Sequence, residues 1–327
     1  MLTYRITTDD HCRRLESFLQ RLLPTALPAY CRKLIKSGAC TLNKVKSLPD
    51  ILLSAGDIIS LKESGQVMEQ LNRPLPPIDL LWQDDRLLAL NKPAGLAMHP
   101  AAEVDENLAD IASAWLEKRS NHPVRAYPVN RLDRGTSGVV LLATSSSSAG
   151  ILGRQVKEEG LDKIYLTVVE GILEGDGEIN QPLDGKESIS RYRCLSVGEN
   201  CSFLMVEPVT GRTHQIRRHL SSIGHPVVGD KRYDAQPLPT LPGIALHSFR
   251  TTLQHPTPDT QLTVCAPLPK ELLDLICTCC GVGEQELLAI ILVSKSLTHS
   301  DFSIINDTFN HRKVLAIQHT LSRLHQA

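Results

Sequence analysis

The stretch NRLDRGTSG, residues 130–138, sets one carboxylate, Asp133, between two arginines, Arg131 and Arg134, and follows it with a glycine, two hydroxyls and a second glycine. Positive charge on both sides favours the ionised acid, so at neutral pH Asp133 is a poor proton donor. It remains available as a nucleophile, a weak base, a metal ligand or half of a surface salt bridge. The apolar run VVLLAT at 139–144 follows directly and reads as a strand entered from a glycine-rich turn.

Working outward, further short apolar runs bounded by Gly and Pro appear as IDLLWQ (78–83), LLALNKP (87–93), IYLTVVEG (164–171), CSFLMVEP (201–208) and QLTVCAP (261–267). Helical patterns interrupt them only occasionally. Residues 78–270 are therefore expected to form an α+β domain whose mixed, largely antiparallel sheet is flanked by helices. Upstream, residues 9–63 make a small α+β unit. CRRLESFLQRLL and PAYCRKLIKSG carry the apolar spacing of two helices, the second closed by Gly38, while ACTLN and GDIISLKE read as strands. Residues 64–77 are polar, end in prolines and read as a linker. The extension 271–327 begins within the helical pattern PKELLDLI and continues with EQELLAIILVSKSL, and its last twenty residues are polar enough to fray.

A length of 327 residues with 42% hydrophobic content supports more than one core. The net charge of -1 excludes a uniformly basic nucleic-acid binder, but phosphate recognition depends on where charge is concentrated. Between Asp10 and Lys46 the cations are Arg13, Arg14, Arg21, Arg32, Lys33, Lys36, Lys44 and Lys46, against Asp10 and Glu16 alone. Nine scattered cysteines read as reduced thiols, and the CTCC run at 277–280 lacks the second Cys or His pair of a zinc site. The start of the chain has no basic-then-apolar leader, and the apolar run LLAIILV at 287–293 is far too short to span a bilayer. A cytoplasmic location without membrane association is expected.

TGRTHQIRRHLSSIGHPVVGD (210–230) is the second concentration of cations. A helix is expected from Thr213 to about Ser222, with Ile216, Leu220 and Ile223 inward and His214, Arg217, Arg218 and Ser221 on the opposite face. NKPAG (91–95) places Lys92 at a strand end. Metal-dependent nuclease chemistry would need several converging carboxylates, a serine hydrolase a G-x-S-x-G elbow, and a nucleotide-binding loop a Walker pattern; none is present. From the residues alone the chain reads as an RNA- or nucleotide-handling enzyme with a solitary aspartate.

NKPAG, NRLDRGTSG, KIYLTVVEG, TGRTHQIRRHLSSIGHPVVGDKRY and LHSFRTTLQHP, in that order, resemble the RluA-type pseudouridine synthases. Residues 9–63 resemble the ribosomal-protein S-four type RNA-binding domain. The resemblance implies that Asp133 attacks the target uridine at C6 or C1′, that Arg217 pairs with it, and that Tyr165 lies against the base and removes the C5 proton. Arg131 would enter the helical stack as the base leaves, while Lys92, Arg134, Arg212 and His214 would meet phosphates or shape the pocket. It implies no cofactor and no metal, a monomer, and structured RNA as partner, above all large-subunit ribosomal RNA, with tRNA or a non-catalytic RNA-binding role as alternatives. Asn130, Thr144 and Thr167 depart from the family's usual histidine, lysine-containing segment and alanine, which bears on the choice of substrate.

Overall fold

The computed structural model describes residues 1–293 apart from 8–9, 24–25, 27, 73–76, 100–105, 121–123 and 258–259. The frayed tail expected at the end of the chain lies outside the described residues.

The chain begins with β1 (Leu2–Arg5), α1 (Leu15–Leu22), α2 (Pro28–Ser37), β2 (Cys40–Leu42) and β3 (Ile58–Leu61). The strands form an antiparallel sheet in the order β1-β3-β2. Leu15, Phe18, Leu19, Leu22 and Leu23 are buried against Cys31 and Ile35, as the apolar spacing of the two helices requires. Gly38 ends α2 in the left-handed region at φ +81°, where a residue without Cβ is favoured. The unit starts earlier than residue 9, because β1 adds to the edge of β3 through pairing that four residues cannot advertise. Residues 64–77 are not simply a linker. They carry α3 (Gly65–Asn72), entered where the Ser64 hydroxyl accepts the Val67 N–H at 3.2 Å. Val67 is buried and Leu71 packs on the same core, a two-residue apolar stripe that a polar composition conceals.

The remainder is built from β4 (Asp79–Gln83), β5 (Leu87–Lys92), α4 (Leu108–Ser120), β6 (Tyr127–Pro128), β7 (Ser137–Ala143), α5 (Ser146–Glu158), β8 (Asp162–Glu170), β9 (Asp176–Asn180), β10 (Ile189–Val197), β11 (Cys201–Pro208), α6 (Gln215–Ser222), β12 (Leu246–Gln254), β13 (Gln261–Cys265), α7 (Lys270–Cys280) and α8 (Glu284–Val293). The sheet runs β4-β5-β7-β12-β8-β11-β10-β9, with β13 added to β12 and β6 to β7. The pairs are antiparallel except β7 with β12, so the mixed, largely antiparallel sheet is as expected.

Helices are more frequent than the strand pattern implied. The serines at 145–148 start α5, where the Ser145 hydroxyl accepts the Ser148 N–H at 3.1 Å. β10 escapes apolar patterning because its outer side carries Arg191 and Arg193, paired across the strands to Glu178 and Asp176, each at 3.0 Å. The central strands are buried on both faces. Leu88, Leu90, Val140 and Leu142 join the main core with Leu108, Ala112 and Leu116 of α4, and Leu87, Ala89, Val139 and Leu141 pack beneath Leu152 of α5.

The parallel contact of β7 with β12 fixes where the Asp133 loop ends. It pairs Ser137 with His247 and Gly138 with Ser248. Gly138 sits at φ +112°, and a Cβ there would lie 2.2 Å from the Ser248 carbonyl oxygen, so only glycine permits this approach. Gly138→Ala is expected to cost about 2–4 kcal/mol, combining left-handed strain with a backbone clash. Gly150→Ala, in α5 with open space around it, is expected to be neutral or stabilising by up to about 1 kcal/mol. Thermal melting of the two variants checks the contrast.

Candidate active site

Asp133 lies in the turn between β6 and β7, where its carbonyl accepts the Thr136 N–H at 3.0 Å and buried Leu132 anchors the loop from below. Its side chain, 27% exposed, faces a cavity of about 120 Å³ lined by Leu132, Lys163, Tyr165, His214, Arg217 and Leu246. The cavity opens into a cleft of about 1360 Å³ whose walls include Arg131, Arg134, Lys157, Arg212 and Arg232.

The neighbouring arginines are not what holds the carboxylate. Arg131 is exposed on the cleft wall. Arg134 turns back, its Nε donating to the Gly95 carbonyl at 2.9 Å while Gly95 N–H donates to the Arg134 carbonyl at 2.7 Å. The partner comes from α6: Arg217 donates from Nη1 to Asp133 Oδ2 at 2.7 Å. Arg217 is itself gripped on its other edge by Asp230, with Nε to Oδ2 at 2.6 Å and Nη2 to Oδ1 at 2.9 Å, and its guanidinium carbon stands 4.9 Å from the centre of the Tyr233 ring. Burial opposes its charge, but hydrogen bonds and charge from Asp230 and Asp133 outweigh that and raise its pKa.

This corrects the expected facing of the helix. α6 begins at Gln215, after His214 has taken the left-handed conformation at φ 54°, and Arg217 is buried beside Ile216 and Leu220. Arg218 faces the other way and pairs bidentately with Asp184 at 2.8 and 3.1 Å, while Ile223 is 38% exposed. Apolar spacing cannot register an arginine that is drawn inward by two carboxylates.

His214 joins the same cluster. Its Nδ1 lies 2.8 Å from the Tyr233 hydroxyl and its Nε2 3.6 Å from Asp133 Oδ1. Burial lowers its pKa, with Asp133 pulling the other way. The tautomer with the proton on Nε2 would face it to the aspartate and leave Nδ1 to accept from the Tyr233 hydroxyl. Tyr165, buried on β8, has its hydroxyl pushed up to about 12 by burial, with Ser248 opposing and Asp133 adding to the shift. Arg212 is exposed on the cleft wall and donates from Nε to the Glu187 carbonyl at 3.0 Å.

Lys92 departs from the sequence expectation. It is fully buried and cannot meet a phosphate from there. Its ammonium donates to the carbonyls of Pro93 and Leu96 at 2.9 Å and of Arg134 at 3.2 Å, tying the NKPAG turn to the Asp133 loop. Burial draws its pKa down to about 7, while the Asp133 carboxylate favours the charged form.

Three residues of the cluster were not singled out in the sequence. Lys163 lines the cavity two positions before Tyr165, on the same side of β8 by strand alternation, which is the signal that would have found it; burial lowers its pKa. Asp230 and Tyr233 sit inside a quoted motif, but no spacing rule connects them to Arg217. Ser137 does meet a histidine, His247 Nδ1 at 2.8 Å. Both are buried and His247 Nε2 lies 3.2 Å from the Ala266 carbonyl, so the pair braces strands rather than forming a nucleophile. The nine cysteines are free thiols. Among the described residues, no group of side chains is arranged to hold a metal ion and no helix is long and apolar enough to cross a membrane.

Residues 86–222, which include Asp133, Tyr165 and Arg217, match the RNA pseudouridylate synthase family. An RNA pseudouridine synthase of Synechocystis sp. is 31% identical over 280 residues, covering 78% of this chain and 86% of that protein. The chain belongs to the RluA-type RNA pseudouridine synthases. It is also similar to two synthases of Pasteurella multocida. The ribosomal large subunit pseudouridine synthase C is 29% identical over 83% of this chain and 91% of its own length. The tRNA pseudouridine synthase C is 34% identical over 61% and 95% respectively. A solved human structure, RNA Pseudouridylate Synthase Domain Containing 4, shares the fold with a TM-score of 0.51 at 22% identity, over 61% of this chain and 91% of that one. The synthase is thus an isomerase acting on RNA.

The pKa of Lys92 gives a stability signature. Its folded-state value, about 7, lies below the roughly 10.4 of an unfolded lysine, so the unfolded chain binds more protons between those values and stability rises with pH there. Relative to Lys92→Met, the wild type is expected to gain melting temperature as pH is raised from about 6.5 to 9.5, which parallel melting curves will read directly.

Proposed function

We propose that this synthase isomerises uridines of large-subunit ribosomal RNA, with Asp133 attacking, Arg217 holding its carboxylate in place and Tyr165 flanking the base. The observation that carries the reading is the 2.7 Å contact between Arg217 and Asp133 in a cavity that Tyr165 also lines. A uridine within a stem must leave the stack to reach that cavity, at a cost of a few kcal/mol, which Arg131 at the cleft wall offsets by taking the vacated place. The Asp133 carboxylate then forms a bond to C6 of the base or C1′ of the ribose, the N1–C1′ bond breaks, the held base turns so that C5 bonds to C1′, and the bond to Asp133 breaks to release the carboxylate, with N1 taking up a proton. The C5 proton leaves last, and Tyr165 is the group assigned to take it. A hydroxyl pushed up to about 12 is protonated at rest, so only its small phenolate fraction can accept that proton, and the fraction grows with pH.

Arg134 and Arg212 meet the RNA backbone along the cleft, and His214 shapes its floor. Residues 1–72 supply the second RNA contact, a module of the S-four type that places Lys33 and Lys36 on the exposed face of α2. No cofactor enters the reaction, which only redistributes bonds of the substrate. The enzyme acts in the cytoplasm as a monomer. Large-subunit rRNA is favoured over tRNA because the ribosomal relative aligns with 83% of this chain and the tRNA relative with 61%.

Tritium at uridine C5 is released to water only if the carbon–hydrogen bond is broken. With tritiated large-subunit rRNA and tRNA transcripts, the wild type is expected to release label from rRNA, Asp133→Asn to lose at least about 10³-fold in rate, and Tyr165→Phe at least about 10²-fold. Wild-type release should rise between pH 6.5 and 8.5 if phenolate is the base. Salt-sensitive RNA binding without release from either RNA would turn the reading into a non-catalytic binder. For the N-terminal module, Lys33→Ala with Lys36→Ala is expected to leave stability unchanged and to reduce the salt dependence of RNA binding, log K against log[salt], by about one to two units.

A further inference from the structure

We infer that Asp230 is a positioning residue for catalysis: it fixes the plane and the charge of Arg217 so that a single guanidinium nitrogen is presented to Asp133. The inference rests on the reading of Asp133 and Arg217 given above and extends it to a carboxylate that never meets the substrate. Asp230 is 1% exposed. It takes two of the arginine's donor groups, Nε at 2.6 Å and Nη2 at 2.9 Å, which leaves Nη1 as the group that reaches Asp133 Oδ2 at 2.7 Å. A guanidinium gripped along one edge cannot rotate about its long axis without breaking both bonds, so the direction of Nη1 is set from behind.

The same short segment fixes the other face of the site. Asp230 Oδ1 also accepts the Arg232 N–H at 3.3 Å, and its carbonyl accepts the Tyr233 N–H at 3.0 Å, closing a turn that carries Tyr233. The Tyr233 ring then lies 4.9 Å from the Arg217 guanidinium carbon, and its hydroxyl lies 2.8 Å from His214 Nδ1. One tight turn therefore holds both groups that approach Asp133, Arg217 directly and His214 at 3.6 Å. The charge balance matters as much as the geometry. Two carboxylates share one guanidinium, so Asp133 does not have the whole positive charge to itself. An undivided cation would hold the attacking oxygen more tightly and weaken it as a nucleophile.

Asp230→Asn tests the idea because the amide keeps the size, the Oδ1 acceptor and the turn while removing the charge and one of the two acceptors. In the tritium-release assay it is expected to lower kcat at least tenfold with KM for RNA within about twofold of wild type, and with melting temperature within a few degrees. Asp230→Glu, which restores charge with a longer arm, should recover part of the lost kcat; Tyr233→Phe, which keeps the ring but loses the bond to His214, should lose less than Asp230→Asn. Unchanged kcat in a well-folded Asp230→Asn, or a loss of kcat matched by loss of RNA binding and of melting temperature, overturns the positioning role. Wild type and Asp133→Asn run alongside separate the two readings. A silent wild type removes the catalytic assignment itself, whereas an active wild type, an inactive Asp133→Asn and a fully active Asp230→Asn remove only the inference about Asp230.

Discussion

The ion pair of Asp133 and Arg217 is the constraint around which the catalytic part of the chain is arranged. A carboxylate and a guanidinium brought partly out of water lose hydration that costs several kcal/mol per ion, and the loss is recovered only when geometry and remaining hydrogen bonds are near ideal. Here they are supplied. Each N–H-bearing nitrogen of the guanidinium is bonded to an acidic oxygen, and the flat cation lies against an aromatic ring. The pair joins the β6–β7 turn to α6, two segments 84 residues apart in sequence, so the site depends on the tertiary fold that brings them together.

The sheet makes that meeting reproducible through backbone rather than side-chain chemistry. The Asp133 turn is held at one end by the close approach of Gly138 to Ser248 and at the other by the mutual bonds of Arg134 and Gly95. Lys92 adds three carbonyl contacts from beneath. Rigid support on several sides suits the role proposed for Asp133, a carboxylate that stays still while the base turns in place. Along the cleft, by contrast, Arg131 and Arg212 are exposed.

Much of this was legible in the residues. The apolar runs located β4, β5, β7, β8, β11 and β13, and the ordered motifs brought Asp133, Tyr165 and Arg217 together as a proposed set, which the structure places around one cavity. The misses have physical causes. β10 and β9 are held by paired charges on a solvated face, which reads as polar loop. α3 has only Val67 and Leu71 to mark it. Lys92 looks like a solvated loop lysine until three carbonyls are seen to converge on its ammonium.

The linear order of residues determined the class of fold, the position of a solitary aspartate and the concentration of cations near it, because strand periodicity, turn glycines and motif chemistry are local properties written along the chain. Periodicity and local charge did not indicate which arginine meets Asp133; only the motif resemblance pointed to Arg217. The two nearest in sequence point to the cleft wall and to a carbonyl, and the one bonded to Asp133 comes from a helix far along the chain, turned inward by Asp230. Only tertiary structure decides such a pairing, since the free energy of a buried charge depends on every group that surrounds it in space and not on its neighbours along the backbone.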